Sequence, residues 1–241
     1  MGKKDAVLHT YMSKPERIKS VLEYYTKEKL PDNWVALCKD EPEFIAGKNA
    51  KGQQSYRLRD IFKKIESQDG IYYVGIENQE KINLIFPWRL MRMDCLAYEK
   101  QIRQIQEVND EEYEESRKIE NEDEKVRYGS EDDFLYRFFK RDKIAPVINL
   151  VLYWGKKTWK TPKGISDMLR TTVMPLGMQQ MFQEYRIHLI HMREISDEDL
   201  ECMDSDLKYV LGLMKRADSP EEYERYIHEN KEYFAHIPSN S

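Results

Sequence analysis

The chain has 241 residues, of which 34% are charged and 40% hydrophobic, and its formal net charge is −5. It is long enough for one large domain, or a core domain with a smaller appendage, and its balance of charge supplies no overall cationic field to announce nucleic acid. Three cysteines, Cys38, Cys95 and Cys202, stand far apart with no C-x-x-C spacing, which argues for free thiols in a reducing compartment and against a disulfide frame or zinc.

No apolar run approaches the ~18 residues of a membrane span, and the opening MGKKDAVLHT lacks the apolar centre of a secretory signal. A cytoplasmic location without membrane contact is expected. The charge is unevenly distributed. Lys and Arg collect at Arg57, Arg59, Lys63 and Lys64, from Arg137 to Lys143, and at Lys156, Lys157, Lys160 and Lys163, while acids crowd Glu107 to Glu124. Such segregation permits a local phosphate-binding surface on an acidic protein.

In chain order, residues 1–12 read as a loose lead-in. Ser13-Lys14-Pro15-Glu16 marks a helix start, with serine as cap and proline in the first turn. Ile18, Val21, Leu22 and Tyr25 give that helix a buried face to about Lys29, and Leu30-Pro31-Asp32-Asn33 stops it. Residues 33–54 are ambiguous, holding the apolar Trp34-Val35-Ala36-Leu37 and then a loop with Gly and Lys. A strand-like run from Tyr56, carrying Asp60, turns at Ser67-Gln68-Asp69-Gly70 and returns as IYYVGIENQ, a hairpin pattern. Pro87 opens an amphipathic helix to about Gln106, with Asp94, Tyr98 and Gln101 recurring at i, i+4 and i+7 on one face.

An acidic stretch, about 107–132, follows as a solvated helix or an insertion. Phe134 to Phe139 reads as a short strand or a helical turn. The most apolar run, Ala145 to Gly155, is rich in β-branched residues and too short for a long helix, so it is expected as a central strand buried on both faces. Ile165 to Leu169 is a short helix, and Glu184 to Ile195 alternates like a strand. Ser196 starts a helix to about Ala217 and Ser219 another to about Phe234, forming a C-terminal helical extension over 196–236 with a tail at 237–241.

The sharpest chemical signal lies in the hairpin. A buried strand has no packing use for a carboxylate at its end, because an ionised group buried without a partner is strongly destabilising. Asp60 on one strand and Glu77 on the other can converge on one point, and two carboxylates with room for water make the hard-oxygen site that magnesium uses. Glu77 and Gln79 share strand parity and face one way, and the Asn78 carbonyl is a further oxygen. Read alone, Asp60 is also a solvated acid balanced by Arg57 and Arg59, and Glu77 with Gln79 also a polar strand end. Asp94, Tyr98 and Gln101 are also a set of hydrogen bonds tying helix to sheet. His188 and His191, three apart on a strand, face opposite ways and do not suggest a metal pair.

Four blocks carry a family resemblance: RLRD with Asp60; GIENQ at Gly75 to Gln79; R-x-x-x-x-D-x-x-x-Y-x-x-Q from Arg89 to Gln101; and PVINLVLYWG…W…P…DML from Pro146 to Leu169. Through them the chain resembles, over about residues 56 to 215, the Rpn-type recombination-promoting nucleases, or YhgA-like putative transposases, of the PD-(D/E)XK nuclease superfamily. The resemblance implies an α/β fold over 13–195: a restriction-endonuclease-like αβββαβ core, with a central mixed sheet flanked by helices. It also implies a magnesium-dependent endonuclease (with manganese as the alternative ion) that hydrolyses DNA phosphodiesters in recombination or mobile-element movement. Asp60 and Glu77 take the two acidic roles as catalytic residues and metal ligands, and Gln79, the third catalytic candidate, stands where many members have lysine; the Asn78 carbonyl is a further metal-ligand candidate on the strand chemistry above.

In the first helix the family shows a pattern like FADLFN where this chain has IKSVLEYY, placing Ser20 and Glu23 at the matching positions. Glu23, Asp94, Tyr98 and Gln101 are supporting candidates. Lys63, Arg89, Lys156, Lys157 and Lys160 are candidate DNA contacts. DNA is the expected partner, with a homodimer as a further option. The competing expectation is a catalytically weak or inactive relative that keeps the fold as a DNA-binding or oligomerising module.

Overall fold

The computed structural model describes residues 3–41, 46–48, 54–56, 59–116, 135–170 and 175–236. Helices α1 (Lys3–Met12), α2 (Pro15–Thr26) and α3 (Trp34–Leu37) lead into strand β1 (Cys38–Asp40) and a small ribbon of β2 (Ala46–Lys48) and β3 (Gln54–Tyr56). Strands β4 (Ile61–Ser67) and β5 (Gly70–Gln79) precede helix α4 (Phe86–Ser116) and strand β6 (Val147–Tyr153). After a 3-10 turn at Ser166–Met168 come α5 (Leu176–Met181), β7 (Leu189–His191), α6 (Asp197–Glu201), α7 (Leu207–Arg216), α8 (Pro220–Glu229) and α9 (Lys231–Phe234).

Five strands form one mixed sheet in the order β1-β4-β5-β6-β7, antiparallel as far as β5 and parallel from β5 to β7. The expected hairpin is present. Ser67 pairs with Gly70 across Gln68-Asp69, and Gly70 has φ of 137°, a conformation that side-chain-bearing residues rarely adopt. A parallel partner for β5 requires a crossover, and α4 provides it. The expected central strand is also present, since β6 lies between β5 and β7 with Leu150 to Tyr153 buried.

Alternation along the strands builds two apolar layers. Ile61, Ile65, Val74, Ile76, Leu150 and Leu152 face α2, meeting Ile18, Val21 and Leu22, and continue to Leu200, Leu207 and Leu211. Val151 and Tyr153 face the other way, against Phe86, Leu90 and Met93 of α4 with Trp159 and Ile187.

Several expectations are corrected. The lead-in is helical as α1, because Met12 is fully buried and Arg17 donates to the Tyr11 carbonyl. Ser13 does not cap α2; its hydroxyl donates to the Thr10 carbonyl at 2.9 Å, closing α1. The ambiguous Trp34–Leu37 is a helical turn held by the indole N–H, which donates to Tyr72 Oη at 2.6 Å.

Helix α4 runs ten residues beyond Gln106. Arg137 and Arg141 return to its acids Asp110 and Glu112 at 2.5 and 2.6 Å, so one basic cluster neutralises part of the acidic run. The rest of that run, 117–132, lies outside the described residues, as do Arg57, Phe134 and the tail. Residues 185–187 bond to the loop at 163–165 instead of the sheet, which shortens the last strand to β7. The expected helix from Ser196 breaks after Glu201, where Met203 and Ser205 turn inward, and the helix from Ser219 breaks at Asn230. Both serines do cap, accepting from the N–H of Asp199 at 3.0 Å and of Glu222 at 3.4 Å.

Candidate active site

The β4–β5 register pairs Ile61 with Ile76, so one step outward Asp60 stands opposite Glu77, on the α4 side of the sheet. The two residues are cross-tied. The Asp60 N–H donates to Glu77 Oε1 at 3.2 Å, and the Asn78 N–H donates to Asp60 Oδ2 at 2.8 Å. Glu77 is fully buried, and its Oε2 has no hydrogen-bond partner. Among the described residues Arg89 pairs with it, its Nη2 3.5 Å from that oxygen.

Burial pushes the Glu77 carboxyl up to about 7, the negative charge of Asp60 adds to the rise, and Arg89 offsets part of it. A carboxyl so raised beside a second acid is a common mark of a functional site. Gln79 lies two residues on with the same parity, and its carbonyl accepts from Trp154 N–H at 2.8 Å. The Asn78 side chain faces the other layer, accepting from Trp154 Nε1 at 3.0 Å, so Asn78 enters the site through its main chain.

Helix α4 descends the sheet face beside this pair. Arg89 meets Glu77; Asp94 accepts from Arg59 Nη2 at 2.5 Å, Asn149 Nδ2 at 2.5 Å and Tyr185 Oη at 2.6 Å. Tyr98 Oη accepts from Val147 N–H at 3.1 Å, and Gln101 both accepts from and donates to the Ala145 main chain, at 2.7 and 3.2 Å. The spacing is geometric: four helical residues advance about 6 Å and two strand residues about 6.6 Å, so contacts at 94, 98 and 101 fall on 149, 147 and 145.

Burial and the neighbouring Asp94 push the Tyr185 phenol upward, so it stays a donor. Gly75 is required beneath this network, since a Cβ there would lie 2.3 Å from Asn149 Oδ1 and 2.8 Å from Arg59 Cδ. Arg59, Asn149 and Tyr185 were missed as a set from the sequence. The available signal was Asn149 itself, a polar residue inside the most apolar run.

Tyr98 and Gln101 thus dock helix to strand rather than reaching the carboxylate pair. Glu23 is not brought to the pair either. It accepts from Leu30 N–H at 2.9 Å and from Lys29 at 3.1 Å, closing the end of α2. Lys63 corrects the expected DNA face. Strand parity turns it to the α2 side, opposite Arg89, where it is 3% exposed and bonded to Asp40 at 2.5 Å. Lys156 pairs with Asp218 at 2.6 Å on the surface, near the exposed Lys157 and Lys160. His188 bonds Tyr25 and His191 bonds the Gly155 carbonyl, each at 2.8 Å. Among the described residues no group of three or more His, Cys, Asp or Glu is placed to hold a metal ion, and no helix is long and apolar enough to cross a membrane.

Residues 132–240, just under half of the chain, match the family described as "Putative transposase, YhgA-like". The chain resembles the YhgA-like putative transposases. The YhgA-like stretch begins and ends later than the sequence blocks suggested. It contains β6 with Asn149, Tyr185 and the C-terminal helices, while Asp60, Glu77, Gln79 and Arg89 precede it. No curated protein and no solved structure matches the chain.

Proposed function

We propose that the protein is a metal-dependent DNA endonuclease of the recombination-promoting type, with Asp60 and Glu77 as its metal-holding acids and a PD-(D/E)XK-like core built from α2, β1, β4, β5, α4 and β6. The observation that carries this reading is the cross-tied carboxylate pair with a fully buried Glu77 Oε2 left without a hydrogen-bond donor. The YhgA-like match supports the mobile-element setting.

The donor set fits a hard cation. It is all oxygen, from Asp60, Glu77 and the Asn78 carbonyl, and one of its atoms lacks a donor in a site that already crowds two acids together. Magnesium, or manganese in its place, supplies a bound water of lowered pKa and neutralises charge on the phosphate. The chain's own residues do the rest. The Asn78 N–H orients Asp60, the Asp60 N–H orients Glu77, and the Arg59–Asp94–Asn149 network fixes the strand end on which Asp60 sits. Gln79 carries no charge and is suited to orienting a water.

The competing reading, a DNA-binding or oligomerising module without cleavage, is favoured by the same Gln79 and by the pairing of Arg137 and Arg141 with acids. Plasmid nicking separates the two. Cleavage that requires Mg2+ or Mn2+ and stops in EDTA is expected, as is loss of cleavage in folded Asp60→Ala and Glu77→Ala. A parent that shifts plasmid in EDTA but never cleaves with either ion establishes the module instead. Variants that cleave like the parent remove this site.

A further inference from the structure

A phosphate needs its charge neutralised, Gln79 is uncharged, and three of the basic candidates among the described residues are committed elsewhere. Arg59 is buried in the Asp94 network, Lys63 lies on the opposite face, and Lys156 pairs with Asp218. Arg89 differs. It sits in the first turn of α4, 29% of its side chain reaches solvent while that of Glu77 is wholly enclosed, and its guanidinium approaches the one Glu77 oxygen without a hydrogen bond. At 3.5 Å the contact is longer than the about 2.7–2.9 Å of a charge-assisted hydrogen bond, so it is a Coulombic contact open to exchange. The guanidinium also stands 5.6 Å from the ring of buried Phe86, within cation–π reach.

We propose that Arg89 is the catalytic cation of this site, balancing Glu77 until a metal ion takes that carboxylate and then turning its guanidinium to the non-bridging oxygens of the scissile phosphate. The inference rests on the metal-dependent reading above. The planar fork of arginine matches two phosphate oxygens at once, which glutamine at position 79 cannot do. The two roles oppose each other in measurement. Removing Arg89 frees Glu77 for the ion, yet it takes away the clamp on the phosphate. Loss of a residue that only props up Glu77 would lower both metal affinity and cleavage.

The test uses the full chain with Arg89→Gln and Arg89→Lys. Mn2+ binding is followed by calorimetry without DNA, and plasmid cleavage at saturating Mn2+. Arg89→Gln is expected to bind Mn2+ about 3- to 10-fold more tightly and to lose about 100- to 1000-fold in plateau rate. Arg89→Lys keeps a point charge without the fork and is expected to bind Mn2+ like the parent and lose about tenfold in plateau rate. Should Arg89→Gln melt early, Arg89→Lys decides alone. An unchanged plateau at any affinity, or a weakened Mn2+ affinity in folded protein, overturns the assignment. A parent that neither binds Mn2+ nor cleaves overturns the endonuclease reading and this inference with it, whereas an active parent with indifferent Arg89 variants removes only the role of Arg89.

Discussion

Glu77 shows how one residue couples fold to site. Its carboxyl is raised from 4.5 to about 7 by burial first and by Asp60 second, so folding favours the protonated form. The stability this contributes is fully present below pH 4.5, declines as pH rises, and is gone above about pH 7; a shift of this size corresponds to about 3 kcal/mol. In EDTA, the melting temperature of the parent relative to Glu77→Gln is therefore expected to fall between pH 5 and pH 8. A difference independent of pH would mean that Glu77 is already ionised in the folded protein. Because an ion must displace that proton, Mn2+ affinity is also expected to weaken below pH 7.

At the scale of elements, α4 is both crossover and scaffold. Gln101 makes two hydrogen bonds with the Ala145 main chain, at the point where the strand β6 is about to begin. Gln101→Ala is expected to destabilise the protein by about 1–2 kcal/mol, as two neutral hydrogen bonds in a half-buried place suggest. Plasmid cleavage by the folded variant should stay within a few-fold of the parent, because the residue holds the helix to the strand and does not touch the carboxylates. A large loss of cleavage at unchanged melting temperature would return Gln101 to the chemistry.

Across the whole molecule, the most enclosed of the ion pairs that tie the N-terminal helices to the C-terminal ones among the described residues is Arg17–Asp206. The nearly buried Arg17 donates from Nε and Nη2 to the two Asp206 oxygens at 2.6 and 2.5 Å, and its guanidinium lies over the Tyr11 ring. Arg17 holds the Asp206 carboxyl below the usual carboxylate range. Asp206→Ala leaves that guanidinium without its counter-charge, at a cost of about 2–3 kcal/mol once the partial exposure of Asp206 is discounted. A chain of this size should then melt roughly 5–10 °C lower, as scanning calorimetry would measure. An unchanged melting temperature would show that α1 and α2 are held to α7 by apolar packing alone.

The local pattern of residues determined much of the fold. Period-2 alternation and the Ser67–Gly70 turn settled the hairpin register, and that register alone places Asp60 opposite Glu77 on one face. The apolar run at Ala145–Gly155 is central because Leu150 and Leu152 are buried on one face and Val151 and Tyr153 on the other. Tertiary structure decided what each polar side chain does, because a hydrogen bond depends on which partner arrives from a distant part of the chain. Asp94, Tyr98 and Gln101 were legible as one helical face, but only the descent of α4 along β6 assigned them to Asn149, Val147 and Ala145. Lys63 was legible as a cation, yet the pairing of its strand turned it away from Arg89. The order of α1 followed from the burial of Met12 in a core shared with Leu207 and Leu211, which no local window of sequence contains.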